Sequence, residues 1–164
     1  ADVRETLTDA LRHVPASLLL WNKLVALLPT APQRMTTRTK AVHTLCSEVD
    51  RGACSRRQLL PAAIALLDEL LHDSRMAAAA EHVLAVMLAT SPAQAAAARA
   101  IGDSVAQGLA SLPPIPRIAP WLPPPSLVAL WLCRIELCAH GRMHGGRAQA
   151  DSVAYARSRR APTC

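Results

Sequence analysis

The 164 residues contain no phenylalanine, and only Tyr155 and three tryptophans (Trp21, Trp121, Trp131) supply aromatic rings. Sheets draw on aromatic and β-branched side chains. A hydrophobic fraction of 51% made largely of Ala and Leu therefore argues against a sheet domain and predicts helices. Long apolar runs are also missing. Each is interrupted well short of the roughly 18 residues that a membrane-crossing helix needs, so a membrane is not an expected partner. Asp2, Glu5 and Asp9 near the first residue argue against a targeting peptide. The five cysteines (Cys46, Cys54, Cys133, Cys138, Cys164) are odd in number and irregularly spaced. They do not form a disulfide framework, and an intracellular, reducing compartment is expected.

Catalytic signatures are absent as well. Gly145-Gly146 has no flanking strand and makes no phosphate loop. No serine sits in a nucleophile elbow. Asp68 and Glu69 are adjacent on a predicted helix and diverge, whereas a general acid and base must converge on one substrate. Cys133, Cys138, His140 and His144 lie close in sequence, but two cysteines five apart on a helix point in different directions. That spacing suits buried thiols and surface histidines better than a tetrahedral zinc site. The chain is expected to be no enzyme, with no cofactor, metal or small-molecule substrate.

Lysine is scarce: Lys23 and Lys40 are the only two among 18 basic residues, which against 12 acidic ones leave a net charge of +6. Such arginine usage has two readings, a GC-rich coding bias or recognition of phosphate and carboxylate groups by the planar guanidinium.

What the sequence does contain is helix punctuation. Val3, Leu7, Ala10, Leu11 and Val14 recur at helical spacing behind a capping Asp2. Ser17 caps a second, almost wholly apolar helix to Leu28, which Pro29 and Pro32 stop. Further helices are expected from about Met35 to Val49 and from Ser55, or from Pro61, to His72. A fifth runs from a Ser74 cap to Ala89. The sixth comes after the N-cap, proline and glutamine of Ser91-Pro92-Ala93-Gln94 and reaches about Ala110. Seven of the thirteen residues from Pro113 to Pro125 are proline, which predicts a stiff, extended connector. Ser126 to His140 and Arg147 to about Arg157 complete a set of about eight helices. The expected organisation is a six-helix bundle or array over 1–112, a Pro-rich connector over 113–125, a helical hairpin over 126–158 and a basic tail over 159–164.

Two segments echo each other. Pro15-Ala16-Ser17-Leu18-Leu19-Leu20-Trp21 matches Pro125-Ser126-Leu127-Val128-Ala129-Leu130-Trp131, and each is followed by a break and a second helix near Arg38 or Arg147. Helical pairs of this kind stack into arrays. With Trp131, Glu136, Gly141, Arg147 and Ala148, the second copy resembles the half-a-tetratricopeptide repeat, a variant of the tetratricopeptide helical hairpin. The first copy lacks the Glu and the Gly, and the middle helices lack the Trp. Over residues 15–49 and 125–158 the resemblance implies antiparallel hairpins that serve as a scaffold for protein partners, often in RNA-processing assemblies.

Two surfaces are candidates for binding. Ile115, Ile118, Trp121 and Leu122, with Leu112, load the proline strip with apolar side chains. Either the strip is a connector packed into the domain, or it is a recognition strip for a partner groove. Arg34, Arg38, Lys40, Arg56 and Arg57 form one basic cluster and Arg157, Arg159 and Arg160 part of another. Each is either a solvated surface or a site that neutralises RNA phosphates or an acidic protein. The expectation is an all-α scaffold that binds other protein subunits, with an RNA-contacting subunit of a ribonucleoprotein as the alternative.

Overall fold

The computed structural model describes residues 2–72, 79–105 and 112–139, and every regular element among them is helical. The helices are α1 (Val3–His13), α2 (Leu18–Ala26), α3 (Ala31–Asp50), α4 (Leu59–His72), α5 (Ala80–Met87) and α6 (Pro92–Val105). A seventh, α7, covers residues 124–139. Short 3-10 turns occupy Arg56–Gln58 and Ala119–Trp121. The eighth expected helix, from Arg147 to about Arg157, lies outside the described residues, as does the expected Ser74 cap.

Local chemistry accounts for most of the boundaries. The Asp2 carboxylate accepts from the Arg4 backbone N–H and the Ser17 hydroxyl from that of Leu20, which satisfies donors a helix start leaves orphaned. Before α6 the capping is reciprocal. Ser91 Oγ accepts from Gln94 N at 3.2 Å, while Gln94 Oε1 reaches back to Thr90 N at 3.0 Å and Thr90 Oγ1 at 2.7 Å.

Two starts differ from the expectation, both at proline. Pro32 opens α3 rather than only stopping α2, and Pro124 and Pro125 open α7 ahead of Ser126. The cause is common to them: the first turn needs no N–H donor, and a fixed φ is already helical. The Pro123 carbonyl takes the first donors of α7, from Ser126 N and Leu127 N, so Ser126 is a first-turn residue and not the cap. Likewise Pro61 stands in the first turn of α4, which Ser55 and its 3-10 turn lead into. Gly52, at φ 73°, occupies the left-handed region in the turn after α3, where a side chain would be strained.

Packing joins sequence neighbours: α1 lies on α2, α2 on α3, α3 on α4, α4 on α5 and α5 on α6. One core runs through α3, α4 and α5, with Leu45, Leu59, Leu66, Leu70, Leu84 and Met87 fully buried. Each such side chain contributes roughly 1.5–3 kcal/mol by leaving water. The proline strip belongs to this core. Ile115, Ile118 and Leu122 are buried in it together with Leu130 of α7. The Ile118 N–H donates to Met87 O at 2.8 Å, and the Trp121 indole N–H donates to Asp50 Oδ1 at 2.7 Å. The Pro-rich segment therefore ties the end of α3 to the end of α5. Among the described residues no helix is long and apolar enough to cross a membrane.

Candidate interaction surface

The two surfaces expected from sequence do not both survive folding as surfaces. Ile115, Ile118 and Leu122 are covered by the chain's own core, and Trp121 is half-buried with its N–H engaged by Asp50. The strip's apolar load is thus met within the chain, because its backbone and indole donors find acceptors at the ends of α3 and α5. Ile115, Ile118 and Leu122 are interior residues in this fold, and Trp121 stands at its edge.

The first basic cluster divides. Arg34 Nε donates to Glu69 Oε1 at 2.6 Å, and its Nη1 approaches the carbonyls of Leu28 and Pro29 at the end of α2. Arg38 Nη1 donates to Asn22 Oδ1 on α2. Burial pulls the Arg38 guanidinium below its ordinary value, while the nearby Glu69 and Asp68 work against that shift. Both arginines clamp α3 against its neighbours on either side, α2 and α4. A sequence pattern cannot separate such clamps from phosphate ligands, since it shows only that the charges are near one another. Lys40, Arg56 and Arg57 stay exposed. Arg157, Arg159 and Arg160 lie outside the described residues.

Of the cysteines, Cys46 is buried, and burial, with Asp50 and Cys54 adding to it, pushes its thiol up to about 12. Cys133 is exposed and Cys138 half-buried. His140 and His144 lie outside the described residues.

The surface that sequence reading missed is on α7. Its inner side meets the core through Leu130, with Leu127 and Leu137 packed against it. Its outer side is apolar too: Val128 is 58% exposed, Trp131 43%, Leu132 55% and Ile135 60%. Their spacing of three, one and three residues places all four on one face. The signal was in the sequence, since a helix that is apolar all round is normally covered all round.

Beside this face a cleft of about 530 Å³ opens between α5, α6 and α7, floored by Ala85, Ala89, Ala97, Ala98 and Ile101 and closed by Trp131 and Arg134. Glu81 organises its polar edge. Arg134 Nε donates to Glu81 Oε1 at 2.8 Å, His82 Nδ1 stands 3.3 Å from Oε2, and the Cys138 thiol also bonds the carboxylate. Burial alone would raise the Glu81 carboxyl, but the bond and charge of Arg134, with His82 and Cys138, hold it below its ordinary value. The same guanidinium lies 5.3 Å from the Trp131 ring centroid.

A further apolar stripe is at the other end of the fold. On α1, Leu11 is buried and Leu7 and Ala10 are half-buried, whereas Val3 and, at the C-cap, Val14 are exposed. α2 adds exposed Leu19 and Leu27. No family model, curated protein or solved structure matches the chain.

Proposed function

We propose that the chain is a non-catalytic helical scaffold, a structural subunit that arranges its helices as antiparallel hairpins and binds other protein in a larger assembly. The observation that carries this reading is the incompletely covered stripe of α1. Val3, Leu7, Ala10 and Val14 succeed one another at intervals of four, three and four, and the two end members are in solvent. Such intervals form the seam on which one helix receives another. α1 also sits at the edge of the fold, with α2 as its principal neighbour. A stacked array leaves an apolar stripe at the position where the next helix would add. The proposed occupant is therefore a helix of another protein. Resemblance to the half-a-tetratricopeptide repeat favours the same reading.

The test is sedimentation of the full chain across a salt series, beside a Val14→Glu/Leu19→Glu variant. With no partner present, a second copy stands in for the partner's helix, so the scaffold reading expects salt-insensitive self-association of the wild type through the uncovered stripe, and a monomeric variant with an unchanged unfolding midpoint. A monomeric wild type that binds polyuridylate, with a slope near 0.7 per phosphate neutralised, would replace the scaffold with the RNA-contacting subunit. Loss of stability in the variant would show that the stripe is core, and the reading would fail.

A further inference from the structure

The cleft between α5, α6 and α7 is apolar along its length and charged at one end. Ala85 and Ala89 of α5 face Ala97 and Ala98 of α6 across its floor, and Trp131 forms a wall. Such a floor offers alkyl groups alone, because helix backbone donors and acceptors are spent on the helix itself. Glu81 and Arg134 stand at one end, and the mutually bonded Thr90 and Gln94 at the other. At about 530 Å³ the cleft is in the size class of small-molecule sites. We propose that it binds a medium-chain fatty acid, whose carboxylate meets Arg134 and whose chain lies past Trp131 over the alanine floor.

The sign of the ligand follows from which groups at the charged end are still open. Glu81 is occupied: Oε1 accepts from Arg134 Nε at 2.8 Å, His82 Nδ1 stands 3.3 Å from Oε2, and the Cys138 thiol bonds the carboxylate as well. A ligand cation would have to displace one of these. Arg134 is the opposite case. Its Nε bond to Glu81 is its one side-chain hydrogen bond among the described residues, and the N–H groups on Nη1 and Nη2 remain. They form the fork that receives a carboxylate in bidentate fashion. Glu81 and the Trp131 ring, 5.3 Å from the guanidinium, hold that fork in place.

The chain follows from the floor. From Glu81 to Ala89 the cleft runs about 12 Å along α5 at the helical rise. Carbon–carbon bonds of about 1.5 Å at tetrahedral angles advance an extended chain about 1.25 Å each, so decanoate covers roughly 11 Å. The carboxyl end of a peptide carries the same charge, but it brings amide groups that the alanines cannot pair, and burying those is costly. A hydrocarbon chain brings none.

The test is isothermal titration calorimetry of the full chain at pH 7.5 with decanoate, decan-1-ol and decyltrimethylammonium. Decanoate should bind one per chain, at least about tenfold more tightly than the alcohol or the cation, because it alone meets the charged fork. Ala97 is exposed on α6, where leucine is nearly as good a helix former. Ala97→Leu should therefore fill the cleft and abolish decanoate binding with the unfolding midpoint unchanged. Glu81→Gln/Arg134→Gln keeps a neutral hydrogen-bonded pair and should weaken decanoate at least about tenfold while leaving the alcohol as before. The Val14→Glu/Leu19→Glu variant should bind decanoate like the wild type, which separates this outcome from that of the scaffold reading. No decanoate binding by the wild type would overturn the proposal. So would equal affinity for the alcohol, or binding that survives Ala97→Leu and so belongs to another apolar surface. A leucine-rich peptide with a free carboxyl end that binds more tightly than decanoate would assign the cleft to a protein terminus and overturn it equally.

Discussion

Replacing Ile118 by alanine distinguishes a strip that holds the fold together from one that decorates it. Ile118 is fully buried, in contact with a core drawn from α3, α4 and α5, and its own N–H is bonded to Met87 O. The substitution leaves that backbone bond in place and removes three carbons. At about 0.8 kcal/mol per buried methylene the transfer loss is about 2.4 kcal/mol, and the cavity left behind brings the expected cost to about 3–4 kcal/mol. For a domain of this size that lowers the melting temperature by roughly 6–16 °C. Urea unfolding followed by circular dichroism at 222 nm measures it, with Val128→Ala as the companion because Val128 is mostly in solvent. The companion should lie within about 0.5 kcal/mol of wild type. If Ile118→Ala costs as little as Val128→Ala, the strip is not part of the core, and the assignment of Ile115, Ile118 and Leu122 to the interior is wrong.

Single contacts lead to further expected outcomes. Trp121→Phe keeps the ring but loses the donor to Asp50, and should cost about 1–2 kcal/mol in the same assay. Gln94→Ala removes both bonds to Thr90 and should cost about 1 kcal/mol, with the loss of helix signal confined to α6 by hydrogen exchange. Glu81→Gln has a signed pH dependence. Because the folded carboxyl titrates below its ordinary value of 4.5, its contribution is present above that pH and fades as pH falls through the folded value. Wild type and variant should therefore differ at pH 7 and converge in acid; a gap that widens in acid would contradict the Arg134 pairing. With its thiol pushed up to about 12, Cys46 should resist alkylation in native protein at pH 8 while exposed Cys133 reacts, as peptide mass spectrometry would show.

Much of the helical layout was legible because the punctuation is chemical. Asp2, Ser17 and the Thr90–Gln94 region carry cap donors and acceptors that act over three or four residues, and a local pattern reveals local interactions. Proline was harder. The same residue stops a helix or begins one depending on whether its missing N–H would have been used, and at Pro32 and Pro124 the helical residues on the C-terminal side settle it. The fate of the proline strip and of Arg34 and Arg38 was not legible. It depends on partners far along the chain: Asp50 is 71 residues from Trp121, and Glu69 is 35 from Arg34. The outer face of α7 was hidden for a related reason. Apolar residues all around a helix announce burial without saying on which side the cover will be found.

The long-range ties of the strip bear on how the chain matures during synthesis. Helices α3, α4 and α5 are complete by Met87, yet part of their core lid is Ile115, Ile118, Leu122 and Leu130. At about 5–20 residues per second, the ribosome needs several seconds to add those residues after Met87, and somewhat longer to clear them from its exit tunnel. During that interval the Leu-rich interior stands open on one side. The nascent protein thus passes through an aggregation-prone stage whose end is marked by Ile118 docking on Met87 and Trp121 on Asp50. A product truncated before residue 122 would be left half-closed, whereas one long enough to bring residue 130 clear of the tunnel carries the buried residues of the lid.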